Sequence, residues 1–408
     1  MARKIADGVP YQYGSSDSRI FRAPLYPLFL SPWIKLLPPG MDESRNAILA
    51  ARFAGCALGA LCLAIVMHLA NRMNFDPKSS RTCGLWAGVL AMLYPGAIGM
   101  SVFVLSEAIF CPIVLLVLLS TTRAIESHPD RVRFWSWLFL GGMLSGAACL
   151  ARPSWSLWPI VFFPYLLFAT KPAIGLSIKI QMESWISGCF VFCLGICLIM
   201  APWWIRNYQI TGKFVPTTLQ VGASLYDGWH PGATGSSDEG MEFVNDFMDQ
   251  QRAEDEVLTA QGRPLDGTLE WRLDQRQKNA AIRWAIENSS DAVKLGLVKF
   301  VKTWSPFPVA RELGGDAIRW MEAIGYCAIM FFAAIGIVRC YCHSGAWLYA
   351  MPCIYFGLLH MFFIGSVRYR QPAVLILCVL GGVGCMSVAK WICNPIQLRR
   401  TKQSPMDR

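Results

Sequence analysis

Charge is what this sequence has least of. Of its 408 residues only 16% are Asp, Glu, Lys or Arg, 54% are hydrophobic, and the mean hydropathy is +0.38. Soluble domains carry about a quarter charged residues, so a soluble globular protein is excluded. Histidine is scarce as well: the five are scattered, and no Cys/His spacing suits zinc. The fifteen cysteines leave the longest polar region empty, with none between Cys197 and Cys327. A disulfide framework is therefore not expected, and the thiols read as small hydrophobes within apolar stretches. The net charge of +10 includes no basic run interleaved with aromatics on a polar face, so no nucleic-acid partner is expected. Orienting the chain in a membrane is the better use for that charge. No internal repeat of transporter type is visible.

What the sequence does have is apolar length. Several stretches approach the roughly 20 residues that cross a bilayer. Nine spans can be marked, at 45–71, 83–102, 105–125, 135–151, 153–169, 185–205, 318–339, 346–364 and 371–391. The expected fold class is an all-α polytopic membrane protein. The fourth and fifth spans are short and separated only by "ARPS". Arg131 and Arg133 precede the pair, and Lys171 and Lys179 follow it, so a hairpin with both flanks cytoplasmic is expected. One set of short loops and the C-terminal tail carries Arg72, Lys78, Arg81, Arg123, Arg131, Arg133, Lys171, Lys179, Arg339, Lys390, Arg399, Arg400, Lys402 and Arg408. The opposite short loops carry Arg152, Arg368 and Arg370. This asymmetry puts the C-terminus in the cytoplasm, and the N-terminus and residues 206–317 outside.

The organisation that follows is an external juxtamembrane segment (1–44), six spans (45–205), an external soluble domain (206–317), three spans (318–391) and a basic cytoplasmic tail (392–408). The external domain opens on turn-rich "YDGWHPGATGSSDEG". A helix is expected over 268–287, with Leu269, Leu273, Ala280, Ala281 and Trp284 near a 3.6 period. In 291–304, Lys294, Lys299 and Lys302 alternate with Leu, Val, Phe and Trp, the pattern of a basic amphipathic helix lying on a membrane surface.

Ionisable groups at membrane depth are costly, which makes each a functional candidate. Arg152, in "CLARPSW", sits at the hairpin tip, where a guanidinium can hold a phosphate through paired charge-assisted hydrogen bonds. It can equally snorkel to headgroups or cap a helix C-terminus. Glu107 opens the third span, where a carboxylate can orient a hydroxyl, assist acid–base chemistry or bind a cation. The plain alternative is a first-turn acid favoured by the macrodipole, with Ser106 as cap. In "SVRYRQP", Arg368, Tyr369 and Arg370 precede the last span as an anion site or as an ordinary interfacial belt. Cations at a lipid–water boundary suit a phosphate-bearing lipid whose headgroup reacts outside, the arginines neutralising the departing phosphate.

The segments "ARKIADG", "RAPLYPLFL", "SEA", "GMLSGAACLARPSW", "APWWIRNYQITGKFVP" and "RYRQP" follow one another in an order that resembles the GT-C superfamily of membrane glycosyltransferases. More closely, the chain is similar to the bacterial family related to protein O-mannosyltransferases and to lipid A aminoarabinose transferase. The resemblance implies a GT-C-like fold and inverting transfer of a sugar from a polyprenyl-phosphate donor to an acceptor glycan, lipid or protein. Transfer would take place on the external face of the inner (cytoplasmic) membrane. It implies that Arg152 contacts the lipid phosphate, that Arg368, Tyr369 and Arg370 line the same cavity, and that Glu107 matches an acidic position of an external loop. It also implies that the stretch holding Arg22 and Tyr26 is a juxtamembrane helix beside the active site. Pro24 and Pro27 fit the first turn of such a helix, where a missing N–H costs nothing, and Phe21, Leu25, Phe29 and Trp33 recur on one face that can rest on lipid. No DxD motif occurs in the first two external loops, so neither a metal nor any other cofactor is expected.

Family members carry a further span and an acidic catalytic base before the helix matching "ARKIADG". Residues 1–20 contain no signal peptide or apolar run able to lead an external N-terminus across the membrane. Both arguments create the expectation of a start upstream of Met1, with the base there. A truncated, non-catalytic homologue is the alternative, and a transporter or flippase of lipid-linked sugars is the rival from another class.

Overall fold

Proline decides where the long apolar runs of this chain break. The computed structural model describes residues 1–14, 17–36, 43–73, 77–127, 130–169, 178–237, 243–307, 315–341 and 344–402. Lys171, Ser404, Arg408 and residues 238–242 of the turn-rich run, each used in the reading above, lie outside them. The described residues form helices and turns, with no strand among them. Two short helices, α1 (Ala2–Ala6) and α2 (Leu25–Lys35), lead to α3 (Glu43–Met73), α4 (Pro77–Leu93), α5 (Pro95–Val102), α6 (Glu107–Glu126), α7 (Arg131–Ala151), α8 (Trp158–Ala169) and α9 (Ile178–Thr211). Then come α10 (Val221–Gly228), α11 (Phe243–Ala260), α12 (Leu269–Glu287) and α13 (Ser289–Trp304), followed by α14 (Asp316–Cys340), α15 (Ser344–Phe362) and α16 (Gln371–Lys402).

Among the described residues, seven helices are long and apolar enough to cross a membrane: α3, α6, α7, α9, α14, α15 and α16. The chain is an all-α polytopic membrane protein; among the described residues the count by length and composition is seven, or eight if the bent pair α4 and α5 is one span, against the nine expected. The expected span 83–102 is broken between α4 and α5 by a bend of 65°. A proline disfavours helical geometry in the residue before it, and Tyr94, before Pro95, is extended at φ −78°, ψ 114°. The expected span 153–169 is a short apolar helix. The same rule acts there: Arg152, before Pro153, is extended at φ −148°, ψ 121° and ends α7. Nor do α7 and α8 form a tight hairpin. α7 packs chiefly on α6 and α9, while α8 leans on α15 and α9.

The last helix is the axis of the bundle. α16 packs against α14, α4, α3, α15 and α6, and every residue from Ala373 to Leu380 is buried. A helix apolar all round belongs in such a position. Its closest neighbour is α14, where Gly336 and Gly384 lie against backbone carbonyls of the facing helix. A Cβ at either would collide, as expected of small residues at a membrane helix contact.

Two amphipathic readings need correction. In α12, Leu273 and Ala281 are buried as expected, but so are Glu270, Asp274 and Gln277. These polar groups satisfy backbone: Glu270 accepts from the amides of Arg19 (3.0 Å) and Ile20 (3.2 Å), and Asp274 from that of Gly222 (2.6 Å). In α13, Lys299 is fully buried rather than facing headgroups. Its Nζ lies 5.1 Å from the Trp229 ring centre and donates to the Phe362 carbonyl at 3.5 Å. Burial pushes its ammonium down to about 7, with Asp227 acting in the opposite sense.

Candidate active site

Three helix termini converge on one buried carboxylate. Glu107 is the first residue of α6, Arg152 the last-turn boundary of α7, and Arg368 lies in a 3-10 turn, Val367–Arg370, that leads into α16. That turn is opened by Ser366, whose hydroxyl accepts from the Arg368 amide at 3.3 Å. Glu107 is fully buried. Arg368 grips it with two donors, Nε to Oε1 and Nη2 to Oε2 (3.0 Å), and Arg152 pairs with Oε1 through Nη1. Ser106 does not cap α6 as expected. Its hydroxyl donates to Glu107 Oε2 at 3.3 Å, because the residue already has helical geometry.

Two guanidiniums against one carboxylate leave a net positive charge. The carboxylate is sealed, whereas the side chains of Arg152 and Arg368 retain 15% and 40% of their accessibility. The excess charge therefore faces outward. Such a forked pair can accept the oxygens of a phosphate while Glu107 holds both arginines in place. Tyr369 lies against the pair, with Arg152 5.1 Å and Arg368 5.9 Å from its ring centre. The tyrosine is fixed in turn by a parallel stack on buried His360, 4.6 Å away, whose Nδ1 donates to the Ile364 carbonyl at 3.1 Å.

Arg370 is not brought to this cluster. It is fully buried on the other side of the turn, where Nη1 donates to the Ser305 carbonyl at the end of α13. Its guanidinium carbon stands 3.7 Å from the Tyr326 ring centre, and Nη2 is 3.7 Å from Glu322 Oε1. Glu322 also accepts from the Tyr94 hydroxyl at 2.6 Å. Arg22 is exposed and lies over Tyr13 (5.1 Å) and Phe21 (5.6 Å), apart from the Glu107 cluster. Tyr26 is buried in α2, and its hydroxyl has no hydrogen-bond partner among the described residues. Burial, and secondarily the charge of Glu107, push that hydroxyl up to about 12, so it stays a phenol beside the site. In α2 itself, Pro24 is the cap rather than a first-turn residue, and Trp33 is exposed while Phe29 is half-buried.

Several supporting residues escaped the reading of the sequence. Trp155 and Trp158 are fully buried and stack 4.6 Å apart, Phe162 stacks on Trp158 at 6.0 Å, and Tyr355 bonds the Ser154 carbonyl. This aromatic wall stands behind the turn that carries Arg152, and the spacing 155, 158, 162 is the visible helical signal for it. A groove of about 290 Å³ runs between α3, α4, α5 and α6, lined by Gly55, Gly59, Ala91, Ser101, Cys111 and, at its polar point, Glu107. Met92 and Ile98 on its walls are exposed on the flank of the bundle, the side that faces lipid. Among the described residues, no three His, Cys, Asp or Glu side chains converge as metal ligands do.

Residues 32–216 match the family described as dolichyl-phosphate-mannose-protein mannosyltransferase. No curated protein matches the sequence. Two solved structures share its fold. The archaeal oligosaccharyltransferase AglB from Archaeoglobus fulgidus, in complex with an inhibitory peptide and a dolichol-phosphate, superposes with a TM-score of 0.55 at 12% identity, covering 100% of this chain and 47% of that one. An Archaeoglobus fulgidus oligosaccharyltransferase in the apo form gives 0.53 at 13% identity, covering 98% and 46%. This chain thus spans about half the length of the oligosaccharyltransferases it superposes on. Over residues 32–216 the chain is thus similar to that mannosyltransferase family, and its fold is the one these oligosaccharyltransferases share.

Proposed function

We propose that this protein transfers a sugar from a polyprenyl-phosphate donor to an acceptor hydroxyl at the membrane surface. The observation that carries the reading is the half-open Arg152–Arg368 pair organised by buried Glu107, the residue at which an apolar groove on the other side of α6 ends. The groove suits a lipid tail, and the guanidiniums suit the phosphate that joins tail to sugar. The acceptor oxygen attacks the anomeric carbon in line with the leaving phosphate, which departs with the bonding electrons as polyprenyl phosphate, and the anomeric configuration inverts. Arg152 and Arg368 neutralise the charge that develops on that phosphate. Tyr369 holds both cations in register, and Tyr26 supplies a neutral hydroxyl at the edge. We assign Arg370 to the support of the turn and leave Arg22 at the entrance. The acceptor's hydroxyl proton passes to water or to the departing phosphate, and no residue of this chain is assigned as its base. The chemistry needs no cofactor, since the cationic work is done by arginine.

The acceptor is a glycan, a lipid or a protein. The dolichol-phosphate bound in the oligosaccharyltransferase of similar fold supports a lipid-linked donor here. The charge asymmetry of the loops supports transfer on the external face of the inner membrane, with the α10–α13 region outside and the C-terminus in the cytoplasm. A cysteine placed at Ser236 or Ser366 should react with an impermeant reagent from outside intact cells, and one at Ser404 should not. For the activity, purified protein incubated with a panel of polyprenyl-phosphate sugars should release polyprenyl phosphate. A protein that releases none from the whole panel, yet carries lipid-linked sugar across a vesicle bilayer, is a flippase and not this enzyme.

A further inference from the structure

The α12–α13 corner carries an apolar surface that the proposed transfer does not use. On α13, Val293, Leu297 and Val301 recur every four residues and are 55–65% exposed. The opposite face of that helix, with Ala292, Gly296, Lys299 and Thr303, is buried. At the end of α12, Ile282 and Ile286 are exposed as well, Ile286 by 72%. No soluble domain gains by presenting such a stripe to water.

Depth identifies the medium. Phe300 and Trp304, in the last turns of α13, lie against Gly357, where a Cβ would come within 2.9 Å of each. Gly357 belongs to α15, a membrane-crossing helix, and stands more than a turn inside its end at Phe362. On α15 the outward stripe Ile354, Leu358 and Phe362 is 51–57% exposed, as a lipid-facing surface of a span is. The α13 stripe starts beside the exposed Asp291–Lys294 ion pair and runs toward the end of α13 that abuts α15. Where α10 and the end of α12 meet the end of α15, an apolar cleft of about 270 Å³ opens among Leu225, Trp229, Ile282, Ala285, Ile286 and Phe362. Its Trp229 ring stacks parallel to Phe362 at 6.1 Å, an aromatic pair where the span leaves the bilayer.

We infer that this corner is seated in the leaflet on the α10–α13 side, with α13 immersed along its Val293–Leu297–Val301 face and the Trp229–Phe362 cleft filled by a phospholipid acyl chain. The seat holds the α10–α13 region at a fixed height. Its most direct mechanical link runs from α13 through the Arg370 contact to the turn that carries Arg368. The occupant is lipid rather than another protein because α13 ends against a spanning helix more than a turn inside that helix's end, and Phe362 of the same helix lines the cleft.

The test uses the full chain in nanodiscs of phosphatidylethanolamine and phosphatidylglycerol. Single nitroxide labels are placed at Ile286, Val293 and Leu297, with Leu358 as the lipid reference and exposed Glu256 on α11 as the water reference. Collision with oxygen should dominate collision with a water-soluble nickel complex at all three positions, as at Leu358. Nickel accessibility equal to that at Glu256 overturns the proposal, and so does protection from both reagents, which would mean a protein covers the face. A second measurement avoids cysteine replacement: a photoreactive benzoylphenylalanine at Ile286 should yield a phospholipid adduct by mass, and one at Glu256 should not. Absence of a lipid adduct at Ile286 under conditions that give one at Leu358 also overturns it.

Discussion

Arg368 and Arg370 stand two residues apart on one turn, and each pairs with a buried glutamate, yet the two pairs are built for different work. Arg368 shares Glu107 with Arg152, keeps 40% of its side-chain accessibility, and leaves one positive charge in excess. Arg370 has no accessibility and is enclosed by Glu322, Tyr326 and the Ser305 carbonyl. Although its Nε and Nη2 have no hydrogen-bond partner among the described residues, the enclosed charge faces Glu322 and the Tyr326 ring and is out of reach of any ligand, so the second pair is a fastening. A charge left half in water with a surplus can still accept a ligand, so the first is the one we propose as the receptor. The difference teaches that residue type and neighbourhood in sequence do not separate binding from bracing; exposure and charge count do.

The largest effect should come from the fastening. Arg370→Ala leaves Glu322 buried with only the Tyr94 hydroxyl, and breaking a buried pair costs about 3–5 kcal/mol. A steep fall in melting temperature in detergent is expected, whereas Arg368→Ala, two residues away, should lower it far less. Equal losses for the two variants would erase the distinction.

Next is the receptor's chemistry. Arg152→Ala should cut transfer by about 100-fold or more, the scale of a lost transition-state donor, with melting close to the parent because Glu107 keeps Arg368. Arg152→Lys should recover only part, since an ammonium lacks the planar fork. An alanine variant that binds polyprenyl phosphate as tightly as the parent would remove the phosphate role.

A milder change should follow Glu107→Gln, which leaves two guanidiniums without their anion. Because both are reached by water, the loss of stability should be smaller than for Arg370→Ala, and inorganic phosphate added to the buffer should restore part of the melting temperature. Failure of phosphate to restore any would argue against an anion site.

The smallest effect is a pH slope from Lys299. Its folded-state value of about 7 lies below the ordinary lysine range, so the unfolded chain binds more protons between pH 7 and about 10.4. Stability of the α10–α13 region should rise with pH across that window. Lys299→Met should flatten the slope, and an unchanged slope would show that Lys299 is not its source.

Much was legible before any coordinates were considered. The low charge and the apolar runs dictate a helical membrane protein, since in lipid each backbone group must be satisfied within its own segment. The costly charges Glu107, Arg152 and Arg368 stand out for the same reason, and all three meet. The "ARPS" between the fourth and fifth spans announces the break at Pro153, whereas 83–102 reads as one span and only the structure shows it bent by 65° at Pro95. Periodicity misread Lys299 and left buried Glu270 unnoticed, because a 3.6-residue pattern sorts side chains by polarity and takes no account of a partner waiting inside.

By itself, then, the sequence determined the medium, the helices and the roster of charges, because these follow from local composition and from what a bilayer tolerates. Only the tertiary structure decided which arginine shares Glu107 and which is locked to Glu322. Those partners lie 261 and 48 residues away along the chain, and separations of that kind are set by how helices pack around α16. Packing also decided how much of each guanidinium water can reach, and so whether the excess charge is spent inside the protein or offered to a ligand.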